Sequence, residues 1–144
     1  MTEVTIIAGS ESDAELVKKV EATLQEFGVK YESHVASAHR SPERVKEIVK
    51  NSKAKVFIGI AGLSAALPGA IASHTTRPVI GLPRNVKLEG LDSLLSMMQM
   101  PPGVPVATVG IDNAKNAALL AVEILAVGDE KLKKKLEEMR EKGR

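Results

Sequence analysis

The chain has 144 residues, which is enough for one domain that buries a single hydrophobic core. It has no cysteine, and this excludes disulfides, thiolate nucleophiles and cysteine-ligated zinc or iron–sulfur sites. The formal charge of +2 comes from residues 129–144, which contain seven Lys or Arg and five Asp or Glu. This mixture of signs indicates a solvated helix face rather than a nucleic-acid-binding surface.

The composition also indicates which partners and which compartment to expect. With two Phe, one Tyr and no Trp, the chain offers almost no side chains on which bases could stack. Its start has no basic stretch followed by a long apolar segment, and no run reaches the roughly 18 apolar residues of a membrane span. We therefore expect a cytoplasmic protein that binds neither nucleic acid nor a membrane.

Apolar runs rich in β-branched residues alternate with helical stretches along the chain. The runs cover 4–8, 29–36, 55–61, 78–82 and 104–111. The first helix is predicted to begin at a capping box formed by Ser12 and Glu15 and to end at Gly28. Its apolar stripe is Leu16, Val17, Val20, Leu24 and Phe27. A second helix is predicted to begin with Ser41 as its N-cap and Pro42 as its first residue.

The alternation of strands and helices predicts the fold class. The runs 56–61 and 104–109 are apolar on both faces, as the covered strands of a parallel sheet are. We predict an α/β fold, a three-layer, doubly wound parallel sheet of the flavodoxin-like type, in a single domain spanning 1–144. Residues 129–144 are predicted to add a peripheral C-terminal helix, which is either exposed or docked on another subunit. Its thin apolar stripe is Leu132, Leu136 and Met139.

Three predicted loops containing glycine or polar residues directly follow three of the predicted strands. They cover 9–13, 37–42 and 61–64. In open α/β sheets, ligands bind outside the carboxyl ends of the strands. We therefore expect these loops to converge on one edge of the sheet and to form the functional site there.

The second loop carries the clearest chemical signal, because His39 and Arg40 are adjacent in it. Histidine can give and take protons near neutral pH, and arginine offers a rigid fork for phosphate or carboxylate. The pair suggests proton transfer on an anionic substrate, while a purely structural histidine would give the same local sequence. In the first loop, Gly9 and Ser10 could approach a phosphate and Asp13 could grip hydroxyls, or the loop could simply cap a helix. Three scattered histidines and no cysteine predict no metal site.

Several motifs, in a fixed order along the chain, make the sequence similar to one known enzyme family. The chain resembles the carboxyaminoimidazole ribonucleotide mutase family of purine biosynthesis over nearly its whole length. The motifs that carry the resemblance are GSESD at 9–13, SAHRSP at 37–42, LPG at 67–69, GLDSLLS at 90–96, QMP at 99–101 and NAALLA at 116–121.

The resemblance implies a reaction and a role for each motif residue. A carboxylate would move from the exocyclic nitrogen of N5-carboxyaminoimidazole ribonucleotide to a ring carbon, by decarboxylation and recapture of carbon dioxide, without cofactor or metal. His39 would be the general acid and base. Arg40 and Ser10 would hold the 5′-phosphate region, and Asp13 the ribose hydroxyls. The residues implied to retain carbon dioxide and orient the base are Ser37, Ala61, Gly62 and Leu67. The resemblance also implies a homo-octamer whose other partner is the small-molecule ribonucleotide.

Two positions depart from the family pattern or point to a related reaction. Ala66 stands where many members have a histidine before Leu-Pro-Gly, so any role of that imidazole is absent or replaced. Ser64, a further candidate for substrate binding, resembles a serine of related carboxylases that use free carbon dioxide and aminoimidazole ribonucleotide. Arg40 after His39 and the motif at 99–101 side with the mutases. We therefore predict a mutase, with the carboxylase as the alternative and a non-catalytic nucleotide-binding module as the second alternative.

Overall fold

Five parallel strands form one sheet within residues 1–143, the part of the chain that the computed structural model describes. The strands are β1 (Val4–Ala8), β2 (Tyr31–Val35), β3 (Val56–Ala61), β4 (Val79–Pro83) and β5 (Ala107–Thr108). They lie in the order β2-β1-β3-β4-β5, and each neighbouring pair is parallel. The predicted doubly wound, flavodoxin-like sheet is confirmed. Arg144, the last residue of the predicted tail, lies outside the described residues.

Helices cover both faces of this sheet. Within residues 1–143 they are α1 (Ala14–Glu26), α2 (Pro42–Asn51), α3 (Leu67–Ala72), α4 (Leu91–Met98), α5 (Ala114–Ala126) and α6 (Glu130–Lys142). Helices α1, α5 and α6 contribute to the core on one face, and α2 and α3, with Met97 of α4, contribute to the core on the other. The predicted three-layer arrangement is therefore confirmed. None of the helices in this part of the chain is both long and apolar enough to cross a membrane.

The central strands bury side chains on both of their faces. In β1, Ile6 joins the core under α1 and α5, and the next residue, Ile7, joins the core under α2 and α3. In β3, Ile58 and Phe57 divide between the two cores in the same way. Successive side chains of a strand point to opposite faces. The continuous apolar runs in the sequence therefore reflect a sheet that is covered on both sides.

The capping box lies two residues earlier than predicted and begins a 3-10 turn that leads into α1. The capping box is formed by Ser10 and Asp13: the Ser10 hydroxyl accepts from the backbone N–H of Ser12, and the Asp13 carboxylate accepts from the backbone N–H of Ser10. Ser10 has the extended backbone that an N-cap requires, with φ of −157°. Ser12 already lies inside a 3-10 turn, Glu11–Asp13, so it cannot take that position.

The fifth strand is much shorter than the predicted run of 104–111. Only Ala107–Thr108 pairs with β4, opposite Ile80 and Gly81. Pro105 has no N–H group to donate to a ladder, and prolines are confined to edge strands for this reason. The apolar pattern therefore overstates the length of this edge strand.

The terminal helix α6 packs within the chain. Leu132 and Leu136 are only 6% and 9% exposed and join the core formed by α1 and α5. Asp129 caps the helix by accepting from the backbone N–H groups of Lys131 and Leu132. The predicted extra helix is thus present. Its apolar stripe packs against its own chain, while most of its other residues are exposed, and docking on another subunit stays a prediction.

Arg77 donates to backbone carbonyls at and just beyond the C-terminal end of α2. Nη1 of Arg77 donates to the carbonyls of Ser52 and Ala54, at 2.9 and 2.7 Å, and Nη2 donates to the carbonyl of Val49 at 3.1 Å. The guanidinium also lies 4.7 Å from the centre of the Phe57 ring. The last carbonyls of a helix lack partners within the helix. Arg77 therefore stabilises the helix whose other end begins at the loop 37–42.

We expect Arg77→Met to lower the free energy of unfolding by about 2 to 4 kcal/mol, because three carbonyls lose a charged donor and the ring loses its cation. Guanidinium chloride unfolding followed by circular dichroism measures the loss. The control is Arg140→Met, which removes a single exposed ion pair with Glu123 and should cost less than about 1 kcal/mol. Equal losses in the two variants would contradict this account of Arg77.

Candidate active site

Loops at the carboxyl ends of β1, β2, β3 and β4 surround a cleft of about 510 Å³. All nine site residues predicted from the sequence line it. They are Ser10, Asp13, Ser37, His39, Arg40, Ala61, Gly62, Ser64 and Leu67. The predicted convergence of the strand-end loops on one edge of the sheet is therefore what the structure shows.

The loop after β1 is held by the Ser10–Asp13 capping box. Oδ2 of Asp13 accepts from the Ser10 N–H at 3.0 Å, and the Asp13 side chain is only 2% exposed. The Ser10 hydroxyl lies 2.8 Å from that of Ser12. The carboxylate at this end of the cleft therefore has a fixed orientation.

The loop after β2 is closed by two serines. The backbone N–H of Ser37 donates to the Ser41 hydroxyl at 3.0 Å, and the backbone N–H of Ser41 donates to the Ser37 carbonyl at 2.9 Å. The Ser37 hydroxyl in turn accepts from the backbone N–H of Arg40 at 3.1 Å. Ser41 precedes Pro42 at the start of α2 as predicted, but its hydroxyl closes the loop instead of capping the helix. These hydrogen bonds define the shape of the loop as far as Arg40.

His39 and Arg40 stand at the exposed crest of this closed loop. Nη2 of Arg40 donates to the Gly9 carbonyl at 3.0 Å, which ties the loop after β2 to the loop after β1. Among residues 1–143, no carboxylate lies within 4 Å of the Arg40 guanidinium, and the His39 imidazole makes no hydrogen bond to a protein group. The Arg40 guanidinium and the His39 imidazole therefore remain available to a ligand.

The loop after β3 approaches the loop after β4 very closely. A Cβ atom on Gly62 would lie 2.5 Å from Cγ2 of Val86, so only glycine fits between the two loops without a shift. The next residue, Leu63, has a left-handed backbone with φ of 56°, a conformation that costs a non-glycine residue about 1 kcal/mol or more. The two loops are therefore pressed together at the edge of the cleft.

Sequence reasoning missed one charged residue of the cleft. Arg84 directly follows β4, and its Nη1 donates to Oδ1 of Asp13 and to the Ser12 hydroxyl, both at 3.0 Å. Its position directly after the fourth predicted strand could have indicated it, because ligands bind outside the carboxyl ends of all the strands of such a sheet. The other lining residues outside the nine predicted site residues are Gly9, Ser12, Ala38, Leu63, Ala66 and Val86.

The other two histidines lie outside this cleft. Nε2 of His34, on β2, lies 3.3 Å from Oε1 of Glu32, and His74 is exposed after α3. In residues 1–143, His, Asp and Glu side chains form no group of three that could hold a metal ion. Of the three histidines, His39 is thus the one that lines this cleft.

The cleft combines three chemical features. An exposed imidazole and an exposed guanidinium stand on one wall, and a buried carboxylate stands on another. Small or apolar side chains complete the walls. They include Ala38, Ala61, Ala66 and Leu67. Such a site can bind an anionic ligand through the guanidinium and move a proton at an atom held near the imidazole.

Comparison with known proteins agrees with the sequence motifs. The family model described as AIR carboxylase matches residues 3–144. The N5-carboxyaminoimidazole ribonucleotide mutase of Methanocaldococcus jannaschii is 64% identical over 139 residues, covering 96% of this chain and 88% of that one. The protein of the same name from Thermotoga maritima is 48% identical over 146 residues, covering 99% and 85%.

A solved structure has the same fold over nearly the full length. The crystal structure of Treponema denticola PurE superimposes with a TM-score of 0.91 at 31% sequence identity, covering 99% of this chain and 92% of that chain. Since the family model and relatives of this similarity extend over almost every residue, the chain belongs to the AIR carboxylase family.

Proposed function

We propose that this chain acts in purine biosynthesis and converts N5-carboxyaminoimidazole ribonucleotide to 4-carboxyaminoimidazole ribonucleotide. The observation that carries the proposal is the pairing, in one cleft, of an exposed imidazole free of protein hydrogen bonds with a guanidinium that no carboxylate neutralises in residues 1–143. The names of the similar proteins, which are mutases, support the same reaction.

His39 is proposed to carry the proton. When the bond between the exocyclic nitrogen and the carboxyl carbon breaks, its electron pair stays with nitrogen, and His39 protonates the ring carbon as carbon dioxide leaves. His39 then moves one of the two protons on the ring carbon to the exocyclic nitrogen, the re-formed ring double bond attacks carbon dioxide, and the ring carbon gives its remaining proton to His39. The net change moves one carboxylate to carbon and one proton to nitrogen, which a single acid–base group can accomplish.

The ribonucleotide is proposed to lie across the loops after β1 and β2. Arg40 and Ser10 hold the 5′-phosphate, since no carboxylate in residues 1–143 pairs with Arg40 and both residues line the cleft. Asp13 accepts from the ribose hydroxyls. Residues of the remaining wall orient the base and retain carbon dioxide between the two steps. They are Ser37, Ala61, Gly62, Ser64 and Leu67. Holding the gas beside the ring avoids a second encounter from solution.

Two other proposals concern the setting of this reaction. We propose a homo-octamer, the assembly that the family resemblance implies. Association of copies is supported by an apolar face on and before α4, where Leu88, Leu91, Leu95 and Met98 are 74%, 53%, 44% and 54% exposed. Apolar faces of this kind mark association surfaces.

A cytoplasmic location is proposed because a phosphorylated substrate does not diffuse across membranes.

The test of the reaction is turnover of each ribonucleotide with and without bicarbonate. We expect N5-carboxyaminoimidazole ribonucleotide with a ¹³C-labelled carboxyl to react without added bicarbonate, and the product to keep most of the label in unlabelled bicarbonate, as NMR of the product measures. If only aminoimidazole ribonucleotide plus bicarbonate reacts, the enzyme is a carboxylase. Binding without turnover of either compound would indicate a nucleotide-binding module.

The test of the proton carrier is His39→Asn, which keeps a polar side chain of similar size. We expect kcat to fall by about 100- to 10,000-fold, the usual contribution of a general acid–base group, with ribonucleotide affinity changed by less than about threefold. Stopped assays give kcat and calorimetry gives the affinity. A near-normal rate would refute the assignment.

The matched control is Arg40→Ala, one position along the same loop. Removing a charge-assisted contact to phosphate should cost about 1.5 to 3 kcal/mol, which corresponds to a rise in KM of roughly 10- to 150-fold with a smaller change in kcat. His39→Asn should therefore lower kcat with little change in affinity, whereas Arg40→Ala should raise KM with a smaller change in kcat.

The test of assembly is the mass in solution. We expect eight copies of the 15.3 kDa chain by analytical ultracentrifugation, and a smaller species for Leu95→Lys, which places a charge on the apolar face. The control is Val127→Lys, at an isolated apolar residue that is 91% exposed, which should leave the mass unchanged. A wild-type chain that sediments as a monomer at micromolar concentration would refute the proposal.

A further inference from the structure

Arg84 and Asp13 form an ion pair across the end of the central strand. Arg84 follows β4, Asp13 belongs to the loop after β1, and β3 lies between those two strands in the sheet. Nη1 of Arg84 is 3.0 Å from Oδ1 of Asp13, while Oδ2 accepts from the Ser10 N–H. Each carboxylate oxygen thus has one protein donor and keeps capacity for another.

The backbone around Arg84 is held from three sides. Its N–H donates to the Ala61 carbonyl at 2.9 Å, and its carbonyl accepts from the buried Ser93 hydroxyl at 3.1 Å. The backbone N–H of the next residue, Asn85, donates to Oδ1 of Asp112 at 2.9 Å. These hydrogen bonds hold the backbone that bears the guanidinium in place. A side chain that orients another side chain needs such a fixed backbone.

The burial of Asp13 explains why a cation is needed there. Its side chain is 2% exposed, whereas that of Arg84 is 27% exposed. A buried carboxylate is strongly disfavoured unless it is paired and hydrogen-bonded. The same guanidinium nitrogen also contacts the hydroxyl of Ser12 at 3.0 Å, so it organises two polar groups of one loop.

We propose that Arg84 is a positioning residue of the ribonucleotide site: it fixes the Asp13 carboxylate in the orientation that accepts from the ribose hydroxyls. This inference rests on the proposed function, which assigns those hydroxyls to Asp13. Arg84 acts through Asp13, and the two arginines of the cleft therefore have different roles, with Arg40 on the phosphate and Arg84 on the carboxylate.

The first test compares Arg84→Met with Arg84→Lys. We expect Arg84→Met to raise KM for the ribonucleotide by about 10- to 100-fold with kcat changed less than about threefold, because the proton carrier stands on a different loop. Arg84→Lys keeps the charge and should recover part of the loss. Arg140→Met, outside the cleft, should leave both constants unchanged. An unaltered KM in Arg84→Met overturns the proposal.

The second test asks whether Arg84 acts through Asp13. In an Asp13→Asn background, Arg84→Met should raise KM by less than about threefold further, since the group that it positions is already altered. The double variant also leaves no unpaired buried charge. Its KM can therefore be compared with that of Asp13→Asn even if Arg84→Met alone fails to fold. Multiplicative effects of the two substitutions would overturn the positioning role and indicate a direct contact with the ligand.

Calorimetric binding of aminoimidazole ribonucleotide separates this proposal from the proposed reaction. If wild type binds this compound without converting either ribonucleotide, the proposed reaction fails, and the affinities of wild type and Arg84→Met still decide the role of Arg84. Equal affinities overturn the positioning role whichever reaction is catalysed. A weaker affinity in Arg84→Met, restored in part by lysine, supports it. A wild-type chain that binds no ribonucleotide overturns both.

Discussion

Every strand of this sheet runs in the same direction, so the chain must cross over through a helix before the next strand can pair. The carboxyl ends of the strands consequently lie at one edge. The pairing register makes the alignment close, because Ala8 stands opposite both Val35 and Ile60, and Ala61 stands opposite Pro83. Four loops thus leave the sheet at nearly the same level, and the cleft forms between them.

The core determines how close the walls of this cleft come. A Cβ atom on Gly59 would lie 3.0 Å from Cδ1 of Ile71 and 3.1 Å from Cγ of Pro68, so α3 packs against β3 at a distance that a larger residue would not allow without a shift. The first residue of α3 is Leu67, which lines the cleft and is 2% exposed. A wall proposed to retain a small gas molecule is therefore held in place by buried packing rather than by a mobile loop.

Local patterns in the sequence were sufficient for the parts of the site that depend on neighbours in the chain. Apolar runs located the strands, and the residues that follow them, such as His39, could be placed at an edge without knowing any contact. The capping box was misplaced because the choice between Ser10 and Ser12 depends on the backbone angle at each residue. The ion pair of Asp13 with Arg84 was missed because its partners are 71 residues apart, and only the order of strands in the sheet brings them together.

The two arginines of the cleft show why a residue type alone does not define a role. Arg84 pairs with the Asp13 carboxylate, whereas Arg40 donates to the uncharged carbonyl of Gly9 and pairs with no carboxylate in residues 1–143. An uncompensated cation at an exposed position attracts an anionic ligand and orients it as it arrives. On the proposed function, Asp13 therefore has two partners, the ribose hydroxyls and Arg84, and Arg40 is the arginine of the cleft that receives the phosphate.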